Sequence, residues 1–286
     1  LQFASEIVCA GVNLPIAGSF ASLRGHFSEE GQPIVTMMPL LKGHPVSLAV
    51  LDYGLFRVNS NGRVIGICGY LVRTSVDEHV LIDTGFPSKY TEDFRAASDE
   101  DRLYEFGEVL VCGPDNLPAA QLARCDVVPE AINLVVQTHT HIDHIGGIAD
   151  FKQAPMLISA IERALPRPLY WGDVQPVEWP DRRYIQLQED CDIGPDFSIM
   201  LVPGHAPGQL AMLLRLPETG PVLLTSDAIS RPAEIDEKFA GSMDEEAAVK
   251  SAARLMAMAE AENAFVIYGH DPQQWDEIKK APHTYS

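Results

Sequence analysis

Six positions, His139 to His144, hold three imidazoles and a carboxylate within the stretch Thr138-His139-Thr140-His141-Ile142-Asp143-His144-Ile145-Gly146-Gly147. No other feature constrains the fold as much, because imidazoles and carboxylates at this density are costly to desolvate except around a cation. On an extended segment, residues two apart point the same way, so His139 and His141 can grip one ion together. Asp143 and His144 follow where the chain must turn, and they can hold a second ion beside the first. Gly146 and Gly147 let the backbone bend and pass close to the site. Upstream, Ile132-Asn133-Leu134-Val135-Val136 reads as a buried strand, which puts the cluster at a strand's C-terminal end. A polar loop with several histidines is the plainer alternative, and the ligand density argues against it.

The 286 residues suffice for one large domain or two modest ones, and 46% hydrophobic content supports a sizeable core. With 40 Asp plus Glu against 21 Lys plus Arg, the formal charge is −19. That balance disfavours nucleic acid and anionic membranes as partners, although its plainest meaning is solubility. The five cysteines, Cys9, Cys68, Cys112, Cys125 and Cys191, are scattered with no C-x-x-C pair, which reads as thiols in a reducing compartment. There is no apolar run of transmembrane length and no signal-peptide pattern, so a cytoplasmic location is expected; the start at Leu1 leaves a trimmed N-terminus open.

Residues 1–40 read as an N-terminal extension packed on the domain, and 41–286 as a single metallo-hydrolase domain. Val46 to Gly54 and Val64 to Val72 read as strands around an Asn59-Ser60-Asn61-Gly62 turn, and His79 to Ile82 as another before Asp83-Thr84-Gly85. Residues 88–118 look polar and irregular, with a helix expected at about 117–124. Met156 to Ser159 reads as a strand and Ala160 to Leu165 as a short helix. The Pro- and aromatic-rich insert from Pro166 to Pro180 is a packed loop or a pocket wall. Further strands are expected over Phe197–Val202, Gln209–Leu216, Pro221–Thr225 and Ala264–Tyr268. A capping box, Ser242-Met243-Asp244-Glu245, is expected to open a helix running to about Ala261.

Three of these later strands each end beside a metal-capable residue: His205, Asp227 and His270, next to Gly204, Ser226 and Gly269. With the main motif they make seven candidate ligands, too many for one tetrahedral ion. Two ions suit them, with His139, His141 and His205 on one, Asp143, His144 and His270 on the other, and Asp227 bridging. Such a pair lowers the pKa of a shared water, and the attack of the resulting dimetal-bound hydroxide makes hydrolysis the expected chemistry. Asp143 and Asp227 are the candidate catalytic carboxylates, as proton carriers. Imidazole with carboxylate suits Zn²⁺ best, with Fe, Mn or Co as alternatives. His26, His44, His79 and His283 fall outside the pattern and read as surface or packing residues.

The motif H-x-H-x-D-H resembles that of the metallo-β-lactamase superfamily. Leu81-Ile82-Asp83-Thr84-Gly85, Pro203-Gly204-His205, Ser226-Asp227 and Gly269-His270-Asp271 are similar to its other motifs, in order. The resemblance implies an α/β fold, an αβ/βα four-layer sandwich with two mixed β-sheets and metals at one edge. It also implies that Asp83 supports the ligands from behind. The chain looks most like the N-acyl homoserine lactone lactonases, through Leu48 to Gly54 and His270-Asp271-Pro272-Gln273-Gln274-Trp275. Those enzymes commonly carry a Tyr three residues after the bridging Asp, where this chain has Ser230.

The expected function is therefore a metal-dependent hydrolase opening a lactone ring, with an N-acyl homoserine lactone (quorum quenching) as one candidate substrate. Alternatives are a glyoxalase II-like thioesterase, an organophosphate or aryl-ester hydrolase, a single-iron redox member and a non-catalytic binding protein. Ser230, Tyr104, Phe106, Tyr170 and Trp171 are the candidate substrate contacts. The expected partner is a small neutral molecule, and a homodimer is compatible with the sequence.

Overall fold

Apolar strands buried on both faces need cover on both faces, and this chain supplies it by stacking two sheets between helices. A computed structural model describes residues 39–286, together with a short backbone pairing of His26–Phe27 with Pro33–Ile34. Pro39–Ser286 forms one compact unit. The expected packing of the N-terminal extension, with Cys9 and the His26 side chain, lies outside the described residues.

The first sheet contains β1 (Pro45–Val58), β2 (Val64–Thr74), β3 (His79–Ile82), β4 (Gly107–Val111), β5 (Ile132–Val136), β6 (Met156–Ser159) and β7 (Tyr184–Leu187). Their spatial order is β4-β1-β2-β3-β5-β6-β7, with β3, β5, β6 and β7 mutually parallel and the other pairs antiparallel. The second sheet runs in sequence order, β8 (Cys191–Gly194), β9 (Phe197–Leu201), β10 (Leu210–Leu216), β11 (Gly220–Ser226) and β12 (Phe265–Tyr268). Its pairs are antiparallel except β11 with β12, so β9, β11 and β12 all run in one direction.

Side-chain alternation sorts residues into layers. Val80, Ile82, Leu134 and Val136 join Phe197, Ile199, Met212 and Leu224 in the core between the sheets. Leu81, Val135, Met156 and Ile158 face outward, onto Phe86, Tyr90, Leu122, Ile145 and Phe151. On the far side, Leu213 and Leu223 meet Ala248, Ala252 and Leu255 of helix Glu245–Glu262. The result is the four-layer αβ/βα sandwich with two mixed sheets. No helix of the described residues is long and apolar enough to cross a membrane.

Two local expectations need correction. Residues 88–118 are ordered into helix α1 (Lys89–Asp101) and edge strand β4. The helix is hard to read because it is mostly polar and non-helical at Asp93, which breaks its periodicity; only Tyr90, Ala97, Ser98 and Asp101 are buried. After α2 (Pro118–Ala123), α3 (Ile142–Ile145) and α4 (Ala160–Ala164), the long helix α5 (Glu245–Glu262) starts later than its expected box. Asp244 is its N-cap, accepting a 2.9 Å hydrogen bond from the Ala247 N–H, while the Glu245 carboxylate accepts from the Gly241 N–H. Asp244 directly precedes the first helical residue and reaches the helix donors itself, so Ser242 is left outside. A last helix, α6 (Pro272–Glu277), follows β12.

Candidate metal centre

Strands that run the same way deliver their C-terminal ends to one edge. Here β3 delivers Asp83, β5 the His139–His144 segment, β9 His205, β11 Asp227 and β12 His270. The two sheets are tied at that edge by Leu210 N–H donating to Thr138 O at 2.8 Å, and by Ser226 Oγ lying 3.1 Å from Thr138 Oγ1. Gly146 allows its segment to lie against the Asp83–Pro87 turn, since a Cβ there would stand 2.1 Å from Pro87 N.

The seven side chains singled out in the sequence come together. His139 Nε2 lies 3.1 Å from His141 Nδ1, which lies 2.9 Å from His205 Nε2. Asp143 Oδ2 is 3.6 Å from His144 Nε2 and 3.5 Å from His270 Nε2. Asp227 stands between the groups. Its Oδ2 is 3.2 Å from His205 Nε2 and 4.0 Å from His139 Nε2, while its Oδ1 is 3.4 Å from His144 Nε2 and 3.1 Å from His270 Nε2. Each trio, His139–His141–His205 and Asp143–His144–His270, offers ligand atoms within 4.8 Å of one another, and so does His139–His144–Asp227.

The donor atoms fit a pair of divalent cations. His144 Nε2, His270 Nε2 and Asp227 Oδ1 are buried without a hydrogen-bond partner, an arrangement that is costly unless a cation is shared among them. The other ring nitrogens are fixed from behind. His144 Nδ1 is 2.8 Å from Asp83 Oδ2, and His270 Nδ1 is 2.8 Å from Gly66 O. His139 Nδ1 is 3.1 Å from Thr138 Oγ1, whose hydroxyl donates to Asp83 Oδ2 at 2.7 Å. With a proton on each Nδ1, all three Nε2 lone pairs face the site. Asp83 thus reaches one imidazole of each trio, and its Oδ1 is held by Thr138 N–H and Gln137 Nε2–H.

Electrostatics separate the imidazoles. Burial, reinforced by neighbouring imidazoles, presses His139 well below its ordinary value, and burial with His205 beside it takes His141 down to about 3. Burial also lowers His205. For His144, burial acts downward, but Asp143, Asp227 and Asp83 outweigh it and hold the ring well above its usual value. Burial likewise opposes protonation of His270, yet Asp227 and Asp143 bring it to about 9. Asp227 would be raised by burial, and His270, His144 and His205 instead hold it well below the carboxylate range. Cation binding at His144 and His270 is therefore coupled to proton release, whereas the depressed His139, His141 and His205 offer neutral rings.

The candidate substrate contacts divide. The Phe106 and Trp171 rings lie 5.1 Å apart, with Phe56 stacked on Phe106 at 5.8 Å. Tyr104 is exposed. Tyr170 is only 1% exposed, and its hydroxyl donates to Asp101 Oδ2 at 2.5 Å, so its ring is a packing element with no free face for a substrate. Its backbone brackets His141 instead, with Tyr170 N–H donating to Thr140 O and Ile142 N–H to Tyr170 O. Ser230 is half-buried, donates from its N–H to Glu234 Oε2, and accepts at its carbonyl from His270 N–H. Sequence reasoning missed Thr138, Gln137 and the buried Glu162. Ser159-x-x-Glu162 looks like an ordinary capping box, and nothing local tells that its carboxylate points elsewhere.

Residues 69–270 match the family model of the Metallo-beta-lactamase superfamily. An N-acyl homoserine lactonase AttM of Azorhizobium caulinodans is 34% identical over 182 residues, covering 58% of this chain and 68% of that protein. An N-acyl homoserine lactonase of Bacillus cereus is 29% identical over 223 residues, covering 74% and 84%. Among solved structures, a quorum-quenching N-acyl homoserine lactone hydrolase superposes with a TM-score of 0.72 at 22% identity, over 86% of this chain and all of that one (100%), which speaks for a shared fold. With most of the domain covered by the family model and the ligand pattern at the expected strand ends, the chain belongs to the metallo-β-lactamase superfamily.

Proposed function

We propose that this chain is a metal-dependent hydrolase that opens a lactone ring, with 41–286 as its hydrolase domain. The observation that carries the reading is Asp227, whose two carboxylate oxygens face two different ligand groups. We assign one cation to His139, His141 and His205, the other to Asp143, His144 and His270, and take Zn²⁺ as the ion this donor set favours. The substrate class comes from the AttM and Bacillus cereus relatives, both named N-acyl homoserine lactonases.

Two divalent cations held there supply Lewis acidity at the ester carbonyl and make water acidic enough to attack at neutral pH. The chain's own residues place and move the proton. Asp227, 8% exposed and facing imidazoles through both oxygens, keeps the two trios in register. Asp143, 18% exposed, is the carboxylate more open to solvent, and it carries the proton from the attacking water to the ring oxygen. As the acyl C–O bond breaks, the alkoxide accepts that proton. The product is a hydroxy acid, which ionises and releases H⁺.

Phe106 and Trp171 are proposed as a pocket wall, with Tyr104 at its rim and Ser230 near Asp227 in sequence. A small neutral substrate suits a chain of charge −19, and neither nucleic acid nor a membrane is expected as a partner; a homodimer is compatible. A reducing, cytoplasmic setting fits the free thiols Cys68, Cys112, Cys125 and Cys191. Ser230 also favours a second reading. Lacking the phenol of the lactonases it resembles, the centre could serve a thioester or phosphotriester.

Proton release in weak buffer from a lactone panel, with thioester and phosphotriester comparators, tests both readings on Zn²⁺-loaded protein. Lactone turnover is expected. Its absence alongside rapid thioester or phosphotriester hydrolysis would transfer the assignment. Ser230→Tyr is expected to raise kcat/KM for acyl-homoserine lactones relative to simple lactones. Good lactone turnover with no response to that substitution would keep the reaction class and discard the role given to residue 230.

A further inference from the structure

Glu162 is a fully buried carboxylate on α4, with burial and hydrogen-bond donors but no charged neighbour acting on it among the described residues. A lone buried acid is destabilising unless its hydrogen bonds bring something in return. Its two oxygens reach two separate ligand-bearing segments. Oε2 accepts from Thr140 Oγ1–H at 2.6 Å, and Thr140 lies between His139 and His141. Oε1 accepts from Gly208 N–H at 3.1 Å, three residues beyond His205. The approach is close enough that a Cβ on Gly208 would stand 1.9 Å from Ser159 Oγ and 2.7 Å from Glu162 Cγ. Thr140 Oγ1 in turn accepts from Leu169 N–H at 2.9 Å, which brings the insert carrying Tyr170 into the same network.

We propose that Glu162 is a positioning residue for the three-histidine half of the centre, tying the His139–His141 segment to the His205 loop. Its carboxylate contacts neither Asp143, His144 nor His270, so its effect belongs to one ion and not the other. Asp83 differs, because it reaches an imidazole of each trio. The proposal rests on the two-cation reading, which is tested separately by whether the unsubstituted protein takes up two Zn²⁺.

The test measures Zn²⁺ affinity by chelator competition in two single-ion backgrounds of the full chain. In His270→Ala, which leaves the three-histidine group intact, adding Glu162→Ala is expected to weaken binding roughly 10–100-fold. In His205→Ala, which leaves Asp143, His144 and His270, the same addition is expected to change nothing. Glu162→Gln keeps one acceptor and is expected to restore part of the loss. Thr140→Val removes the bond to Glu162, together with that from Leu169 N–H, and leaves the acid in place, so it carries the comparison if Glu162→Ala does not fold. Equal weakening in both backgrounds, or no weakening in either, would overturn the proposal.

Discussion

At the scale of single residues, the centre depends on which atom faces which. Asp227 presents one oxygen to each trio, and no neighbouring carboxylate duplicates that contact. Asp227→Ala is expected to abolish hydrolysis by orders of magnitude and to lower the Zn²⁺ content, while the exposed His283→Ala leaves both unchanged. Elemental analysis and turnover of the well-folded pair check this, and equal effects would mean the site is misplaced. Asp83 acts from behind the ligands, holding His144 directly and His139 through Thr138. Asp83→Ala is therefore expected to weaken both ions, each roughly 10–100-fold, as read by chelator competition. A loss confined to one ion would break that account.

At the scale of elements, strand direction places the ligands and helix caps secure the supports. Helix α5 packs Ala248, Ala252 and Leu255 against the second sheet, and Asp244 N–H donates to Gly204 O, beside His205. Because Asp244 is the cap, Asp244→Ala is expected to cost about 1 kcal/mol in thermal unfolding, with Ser242→Ala close to neutral. The opposite ranking would restore the box read from sequence. On the other side of the molecule, Asp101 of α1 accepts from Lys89, Tyr90 and Tyr170, so a helix that looked irregular fixes the segment bracketing His141.

At the scale of the whole molecule, the two sheets meet at the edge where the ligands converge, so metal occupancy and domain stability are linked. Removing both ions leaves buried nitrogens and a carboxylate oxygen without partners. Chelation is expected to lower the melting temperature, and re-addition of Zn²⁺ to restore it in a concentration-dependent way. An unchanged melting temperature in protein shown to have lost both ions would separate the centre from the fold.

The sequence by itself determined the chemistry and the broad architecture. Ligating residue types are uncommon, and here they sit next to apolar strands, so His139, His141, Asp143, His144, His205, Asp227 and His270 can be grouped without coordinates. Apolar runs likewise mark the strands, because burial on both faces leaves few polar positions. Tertiary structure alone decided how that set is held. Thr138 meets Asp83 across 55 residues, Glu162 meets Gly208 across 46, and His270 meets Gly66 across 204. Thr, Glu and Gly are common residues whose roles come from their partners. The burial of Tyr170 and the ordering of α1 depend on the same kind of distant contact, through Asp101. A hydrogen bond between segments far apart in the chain leaves no periodic or compositional trace, and only folding brings its two ends together.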